Sequence, residues 1–419
     1  MPLNNLKIML KLYCMNNVSS AKINSLILVA ALGYFVDIYD LVLFSIVRIN
    51  SLRSIGIPED QLFSKGIFLI NMQMIGMLVG GIFWGILGDR KGRVSVLFGS
   101  IFLYSAANIA NGFVTNMEWY AAIRFIAGIG LAGELGAGIT LVSESMSKEN
   151  RGYGTMIVAT VGLLGAVAAA LVGDLWTWQT AYFIGGGLGL LLLVMRLGVY
   201  ESGLFRSLSA KHVDRGNFLR LFSSRSIFFK YLNCILIGLP VWFVVGILMT
   251  FSPEIARSLG IEGYVSAGKA IMYCYIGLAI GDLASGILSQ VWKTRKKVIF
   301  VFISLSVLSV CLFLNSRQVS VSLLYGLCVL LGFTTGYWAL FVTVASEHFG
   351  TNLRATVTTT VPNFVRGAVV PITLGFEFLK GQYGILNGAL LIGVICLGLA
   401  LVAVSRLEET FARDLDYLE

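Results

Sequence analysis

Apolar runs recur along this chain with charged gaps between them, and most are close to the ~20 residues a helix needs to cross the hydrocarbon of a bilayer. Lipid offers backbone groups no hydrogen-bond partners, so runs of this kind are confined to helices that satisfy themselves. The spacing predicts membrane helices over 24–48, 64–88, 94–112, 119–143, 153–173 and 178–199, then over 227–251, 265–291, 297–315, 320–346, 354–378 and 384–404. The expected fold class is all-α and integral to the membrane, with twelve transmembrane helices. The 13% of charged residues agrees, because average soluble composition is about 25% charged.

The net charge of +9 does not point to nucleic acid, since the bases lie in the gaps between apolar runs rather than in a polar patch. Of the 31 Lys and Arg, 21 fall on the side of the termini, six on the other side (Arg48, Arg53, Lys65, Arg257, Arg317, Lys380) and four within spans (Arg124, Lys230, Lys269, Arg366). An excess of basic residues marks cytoplasmic loops, so both termini are expected in the cytoplasm of a plasma or bacterial inner membrane. The first 23 residues carry Lys7, Lys11 and Lys22 but no signal-peptide core with a cleavage site, so the first span is expected to act as its own insertion signal. Five of the six cysteines fall in spans and Cys14 in the tail, without disulfide or metal spacing. No cofactor or metal is expected; the bilayer is the expected macromolecular environment, and the functional unit a monomer.

Between spans 2 and 3 the charged knot Gly85-Ile-Leu-Gly-Asp89-Arg90-Lys91-Gly92-Arg93 must turn tightly at the membrane surface. Part of it returns after span 8 as Gly286-Ile-Leu-Ser-Gln290, where Gln290 stands in place of Asp89. Glu144 and Arg151 after span 4 return, shifted by 203 residues, as Glu347 and Arg354 after span 10. This repeat divides the chain into 1–200, a polar linker 201–226 and 227–419. Asp89, Arg90, Arg93, Glu144, Arg151, Glu347 and Arg354 either hold helices together or form a gate whose charges differ between two conformations.

An ionisable side chain within a span costs roughly 2.5–3.5 kcal/mol on insertion scales, so each needs a partner or a wet cavity. Asp37 and Asp40 lie three residues apart in span 1, on one helical face. Arg124 enters span 4 from the opposite side, at nearly the depth of Asp40, so the two are expected to pair. The pair is either a permanent salt bridge or an acid that exchanges its arginine for a proton. Glu134, deeper in span 4, is either a second protonatable site or a buried acid locking that span to a neighbour. Gly128-Ile-Gly-Leu-Ala-Gly133 matches the Gly-x-Gly-x-x-Gly dinucleotide fingerprint, but no strand precedes it and the segment is apolar, and small residues here permit close helix packing. Arg366, one turn after Pro362 in span 11, either joins Arg124 in clamping an organic anion or is paired with Asp282 or another acid. Gln73, Tyr39, Trp242, Tyr273, Tyr275, Tyr337, Trp338 and Asn363 are the candidate cavity lining.

The knot Gly-x-x-x-Asp-Arg-x-Gly-Arg at 85–93 resembles the loop between helices 2 and 3 of the major facilitator superfamily. That resemblance implies two six-helix bundles in a parallel repeat with a central substrate site. Gly33-x-x-x-Asp37-x-Tyr39-Asp40, Arg124 with Gly128, Gly133 and Glu134, Glu144 to Arg151, Glu201-Ser202 and Glu347 to Arg354 are similar to the metabolite:proton symporter branch. The branch implies a proton-coupled importer of a small polar metabolite, with Asp40 and Arg124 at the coupling positions. Gln290 and the missing Gln-Leu-Ser in span 7 depart from the sugar porters, and span 5 lacks the Gly-Pro signature of drug exporters. The positive charge of the spans leans toward an organic anion, from small carboxylates to polycarboxylate chelates, carried with protons. A zwitterion or neutral solute is the alternative, and a transporter-like receptor or a membrane enzyme the alternative class. Gly263 to Ala270 nearly spells a phosphate-binding loop, but Ala270 replaces the required hydroxyl residue and no strand precedes it.

Overall fold

The computed structural model describes residues 3–146, 151–196, 218–350 and 353–413, the side chains of 3–26, 89, 93, 140, 143–145, 151–153 and 355 excepted. Span 1 lies in the helix Leu3–Ser54, and spans 2 and 3 are Leu62–Lys91 and Arg93–Asn111. Span 4 is Met117–Leu131 followed by Glu134–Ser145; spans 5 and 6 are Arg151–Leu175 and Trp178–Met195. In the second half, span 7 runs through Arg225–Leu236, Leu239–Phe243 and a π-helical turn Val244–Met249. Spans 8 and 9 are Ala267–Val291 and Lys296–Leu314, and span 10 is Val321–Thr335 with Trp338–Glu347. Span 11 begins as Arg354–Gly367 and continues into Val369–Arg406, which also contains span 12.

Eleven stretches of the described residues are long and apolar enough to cross a membrane, one fewer than expected, because the last runs unbroken over Thr356–Arg406. It is 51 residues long, enough for two crossings. Gly384, at φ 79° and ψ 166°, breaks the helix there and separates span 11 from span 12. Large apolar side chains such as Phe102, Leu171, Val194, Leu308 and Phe378 are exposed around the outside, the surface lipid would cover.

Polar caps start several spans: the side chains of Asn116, Thr177, Ser224, Ser266 and Ser320 accept backbone N–H bonds from the first turns of spans 4, 6, 7, 8 and 10. Breaks inside spans are also satisfied by side chains, as buried backbone requires. Asn363 of span 11 donates to the carbonyl of Ala132 in the span 4 break (2.7 Å). Tyr337 donates to Ile237 in the span 7 break (2.9 Å), and Asp282 accepts from the amide of Ala339 after the span 10 break (2.9 Å). The breaks at Gly133 and Gly336 are related by the same 203-residue shift as the charged pairs.

Contacts between the two halves close both ends of the seam. On the side opposite the termini, Arg48 of span 1 pairs with Glu254 after span 7 (2.6 Å) and lies over the ring of Phe251 (4.7 Å). Thr373 of span 11 there donates to Asn71 of span 2 (2.8 Å). On the terminus side, Gly85 of span 2 backs onto Thr356 of span 11, Gly136 onto Thr359, and Gly286 of span 8 onto Met156 of span 5. Residues 407–413 fold back on the loop between spans 8 and 9. There Glu409 accepts from the Thr294 hydroxyl and from the amides of Arg295 (2.8 Å) and Lys296 (3.3 Å), and Phe411 covers the Arg295 guanidinium (5.2 Å).

Candidate transport site

Asp37 and Asp40 leave span 1 toward different neighbours. Asp37 reaches the seam, where its carboxylate lies 3.6 Å from the guanidinium of Arg366; both side chains are buried. Arg366 is held from its own helix by Asn363, whose side-chain oxygen accepts from it at 3.4 Å. The indoles of Trp242 and Trp338 flank the guanidinium, with ring centroids at 5.9 and 5.8 Å. A cation placed against aromatic faces out of water gains about 2 kcal/mol. Arg366 borders a small, half-open pocket on the seam, walled by Tyr34, Trp242, Tyr275 and Trp338 and by the aliphatic Ile38 and Leu163. The partner expected as one option, Asp282, is instead turned to the span 10 backbone.

Asp40 is buried within the first six spans. One carboxylate oxygen packs against Gly185 of span 6, beside the ring of Tyr39, and neither oxygen makes a hydrogen bond. The expected direct pair with Arg124 is not formed. Arg124 donates to the Gln73 side chain and to Tyr182 (3.3 Å), and lies over the ring of Phe44 (4.8 Å), one turn above Asp40. Depth along a span leaves open the direction in which each side chain points around its helix. Tyr182 also meets Tyr120 (3.0 Å), and Tyr120 donates to Ser51 (3.3 Å). Arg124 is thus built into the first bundle, and the two-arginine clamp is not present: only Arg366 borders the pocket.

Glu134 is locked in a two-pronged ion pair with Arg196, one contact of which measures 2.9 Å, with both side chains buried. Gly33 makes this possible, because a β-carbon there would collide with both partners. Arg196 reads in sequence as an ordinary base in the last turn of span 6, so nothing marked it as a buried partner.

The remaining candidates sort by position. Trp242, Tyr275 and Trp338 border the pocket; Tyr39 donates to Ala181 (2.9 Å) and Tyr337 to Ile237, both away from it. Tyr273 stacks on Tyr325 (5.2 Å between ring centroids). Gln73 serves Arg124, and Asn363 positions Arg366 while holding the span 4 break. Tyr34 was missed, although it sits one turn before Asp37 on the same helical face. Of the gate candidates, the side chains of Asp89, Arg93, Glu144 and Arg151 lie outside the described residues. Arg90 is exposed. Glu347 pairs with Arg295 (3.2 Å), and Arg354 donates to the carbonyls of Ser346 (3.4 Å) and Phe349 (3.5 Å). The Arg48–Glu254 pair at the opposite end was not foreseen as a closure, because Arg48 counts in sequence only as a base at a span end.

Comparison with known proteins fits this architecture. The niacin transporter NiaP of Acinetobacter baylyi is 25% identical over 364 residues, covering 79% of this chain and 81% of its own. The sialic acid transporter NanX of Escherichia coli is 27% identical over 376 residues, covering 85% and 87%. Among solved structures, the proton:xylose symporter XylE bound to 6-bromo-6-deoxy-D-glucose shares the fold with a TM-score of 0.70 at 17% identity, covering 95% of this chain and 98% of that one. The family model described as Major Facilitator Superfamily matches residues 27–372. With most of its length matched, paired six-span halves and a pocket on the seam between them, the chain is a multi-pass membrane transporter that belongs to the Major Facilitator Superfamily.

Proposed function

We propose that the protein imports a small organic anion together with protons, by alternating access, and that planar aromatic carboxylates are the class its pocket fits best. The membrane is the cytoplasmic one, with both termini inside, in keeping with the charge distribution of the loops. The observation that carries this reading is the buried Asp37–Arg366 pair, which joins the two halves at the edge of an aromatic pocket. A planar guanidinium presents a fork matched to a carboxylate, and indole and phenol faces on either side accept a flat ring. Niacin and sialic acid, named for two relatives, are both carboxylic acids, which supports an anion.

The coupling follows from charge. A substrate carboxylate that takes Arg366 leaves Asp37 buried without its counter-ion, a state costing several kcal/mol. Binding one proton removes that cost, so anion and proton enter as a neutral set. When the substrate leaves, Arg366 reclaims Asp37 and expels the proton. Asp40, one turn away, is the second acid of the route, and Asp37 is among its electrostatic neighbours. Arg124 acts from within the first half, by biasing Asp40 rather than by touching cargo. Proteoliposomes with a pH gradient, acid outside, test this against a panel of benzoate, niacin, sialic acid and xylose. Wild-type protein should accumulate at least one of the acids, sensitive to a protonophore, and Asp37→Asn should retain exchange while losing accumulation at least tenfold. Accumulation of xylose alone, or Asp37→Asn with unaltered accumulation, would sink the proposal.

A further inference from the structure

Among the buried side-chain polar atoms of the first bundle that have no hydrogen-bond partner among the described residues, eight on spans 1 and 3 lie outside the substrate pocket. They are both oxygens of Asp40, the hydroxyls of Tyr104 and Ser105, and the carboxamides of Asn108 and Asn111. They also lie together. Asp37 and the Asn108 carboxamide are neighbours of the Asp40 carboxylate. Tyr104 is a neighbour of both Asp40 and the Glu134–Arg196 pair. Span 6 turns a glycine face to the group, Gly185 against Asp40 and Gly189 against Ser105 and Tyr104.

Buried polar atoms are almost always partnered, so eight orphans in one place call for an explanation. The set mixes carboxamide N–H donors with oxygen acceptors. A metal cation would satisfy only the oxygens, whereas water both donates and accepts. Tyr104, Asn108 and Asn111 follow one face of span 3 at spacings of four and three, a stripe rising about 10 Å. Asn111 is the last helical residue on the side opposite the termini. The charged and titratable groups facing Asp40 are Asp37 from its own helix, Arg124 from span 4, Tyr104 from span 3, and Tyr39 and Tyr182.

We infer that protons reach Asp40 from the outer face through the interior of the first bundle, along span 3, and not through the pocket that takes the substrate. This rests on the proton-coupled reading above. Each step is a proton transfer without electron or bond exchange: the proton passes along water held by Asn111 and Asn108, protonates Asp40, and is handed to Asp37 when Arg366 turns to the substrate. Asn108 and Asn111 are positioning residues, which hold the path without binding cargo. A separate route lets the proton arrive while the central pocket is occupied.

The test compares Asn108→Leu, Asn111→Leu and Asn108→Ser in proteoliposomes, using the acid accumulated by wild-type protein as the probe. Substrate exchange, which needs no net proton movement, reports folding and cargo binding; substrate-driven proton influx is followed with an internal pH dye. Each leucine variant should keep exchange within threefold of wild type and lose proton influx at least tenfold. Asn108→Ser, small and polar, should stay within threefold for both. Radiolytic labelling by water-derived radicals should modify buried Tyr104 more than Tyr337, whose hydroxyl is already bonded to Ile237. Leucine variants with wild-type proton influx overturn this route while leaving proton coupling standing, as does equal loss in Asn108→Ser or labelling of Tyr104 no greater than that of Tyr337. Wild-type protein that moves substrate without protons overturns the coupling itself, and this route with it.

Discussion

At the scale of single residues, Arg366 is central to recognition and coupling alike. Its guanidinium is flanked by two indoles and faces one carboxylate, so its planarity matters as much as its charge. Arg366→Lys should therefore raise the KM for an aromatic carboxylate at least tenfold, since an ammonium makes a point contact where the fork made two. Arg366→Ala should weaken anions more than their neutral amide analogues, and equal losses for both would remove the arginine from substrate recognition. Trp338→Ala should cost about tenfold in affinity for a flat ring if stacking contributes near 1–1.5 kcal/mol; isothermal titration reads this directly. Sequence located these residues well in depth. An arginine at mid-span is conspicuous, and Trp242, Tyr275 and Trp338 are candidates in sequence as aromatic residues inside spans. Direction around the helix was not legible: Tyr39, Gln73, Tyr337 and Asn363 share comparable depths with the pocket but point into helix breaks and neighbouring spans. Asp37 and Asp40 were read as sharing a face, and that face of span 1 meets both the seam, where Asp37 faces Arg366, and span 6, where Asp40 packs against Gly185.

At the scale of elements, the informative features are breaks and closures. Gly384 has nothing near the position of a β-carbon, so Gly384→Ala meets only backbone strain, about 1–3 kcal/mol at such a conformation. The melting temperature should fall while substrate exchange persists, and an unchanged melting point would show that the turn between spans 11 and 12 relaxes freely. Periodicity found both spans but ended the first at 378, because Glu377, Lys380 and Gln382 interrupt the apolar run, whereas the helix runs on to Gly384. The Glu409 cap on span 9 depends on pH. Burial opposes its ionisation, but the Thr294 hydroxyl and the amides of Arg295, Phe411 and Lys296 prevail and hold the carboxyl below its usual value of 4.5. A depressed folded value means the cap stabilises above pH 4.5 and is lost as pH falls below it. Hydrogen exchange over 407–413 should thus be slow at pH 7 and quicken relative to unstructured peptide as pH falls below 4.5. Glu409→Gln should show the faster exchange already at pH 7. That the second loop had lost the acid equivalent to Asp89 was visible in sequence; that the far end of the chain supplies one was not, since 119 residues separate Gln290 from Glu409.

At the scale of the whole molecule, two similar bundles meet along a seam closed at both ends, with Arg48–Glu254 at one end and close glycine contacts at the other. Breaking either closure should shift the balance between outward-open and inward-open forms rather than abolish folding. Glu254→Gln removes the charge from the outer closure, and spin labels placed across the outer ends of spans 1 and 7 should report a larger open fraction. The fold and its division into halves were legible because membrane length and a 203-residue repeat are one-dimensional properties. The internal ion pairs were not, because they join residues 52 to 329 positions apart. The central claim is that one arginine alternates between a carboxylate of the protein and a carboxylate of the cargo. Proton uptake by purified protein in weak buffer at pH 7, as an aromatic carboxylate is titrated in, tests this most directly. The account predicts close to one proton bound per anion for wild type and none for Asp37→Asn; anion binding without proton uptake in wild type, or the same uptake in both proteins, would contradict it.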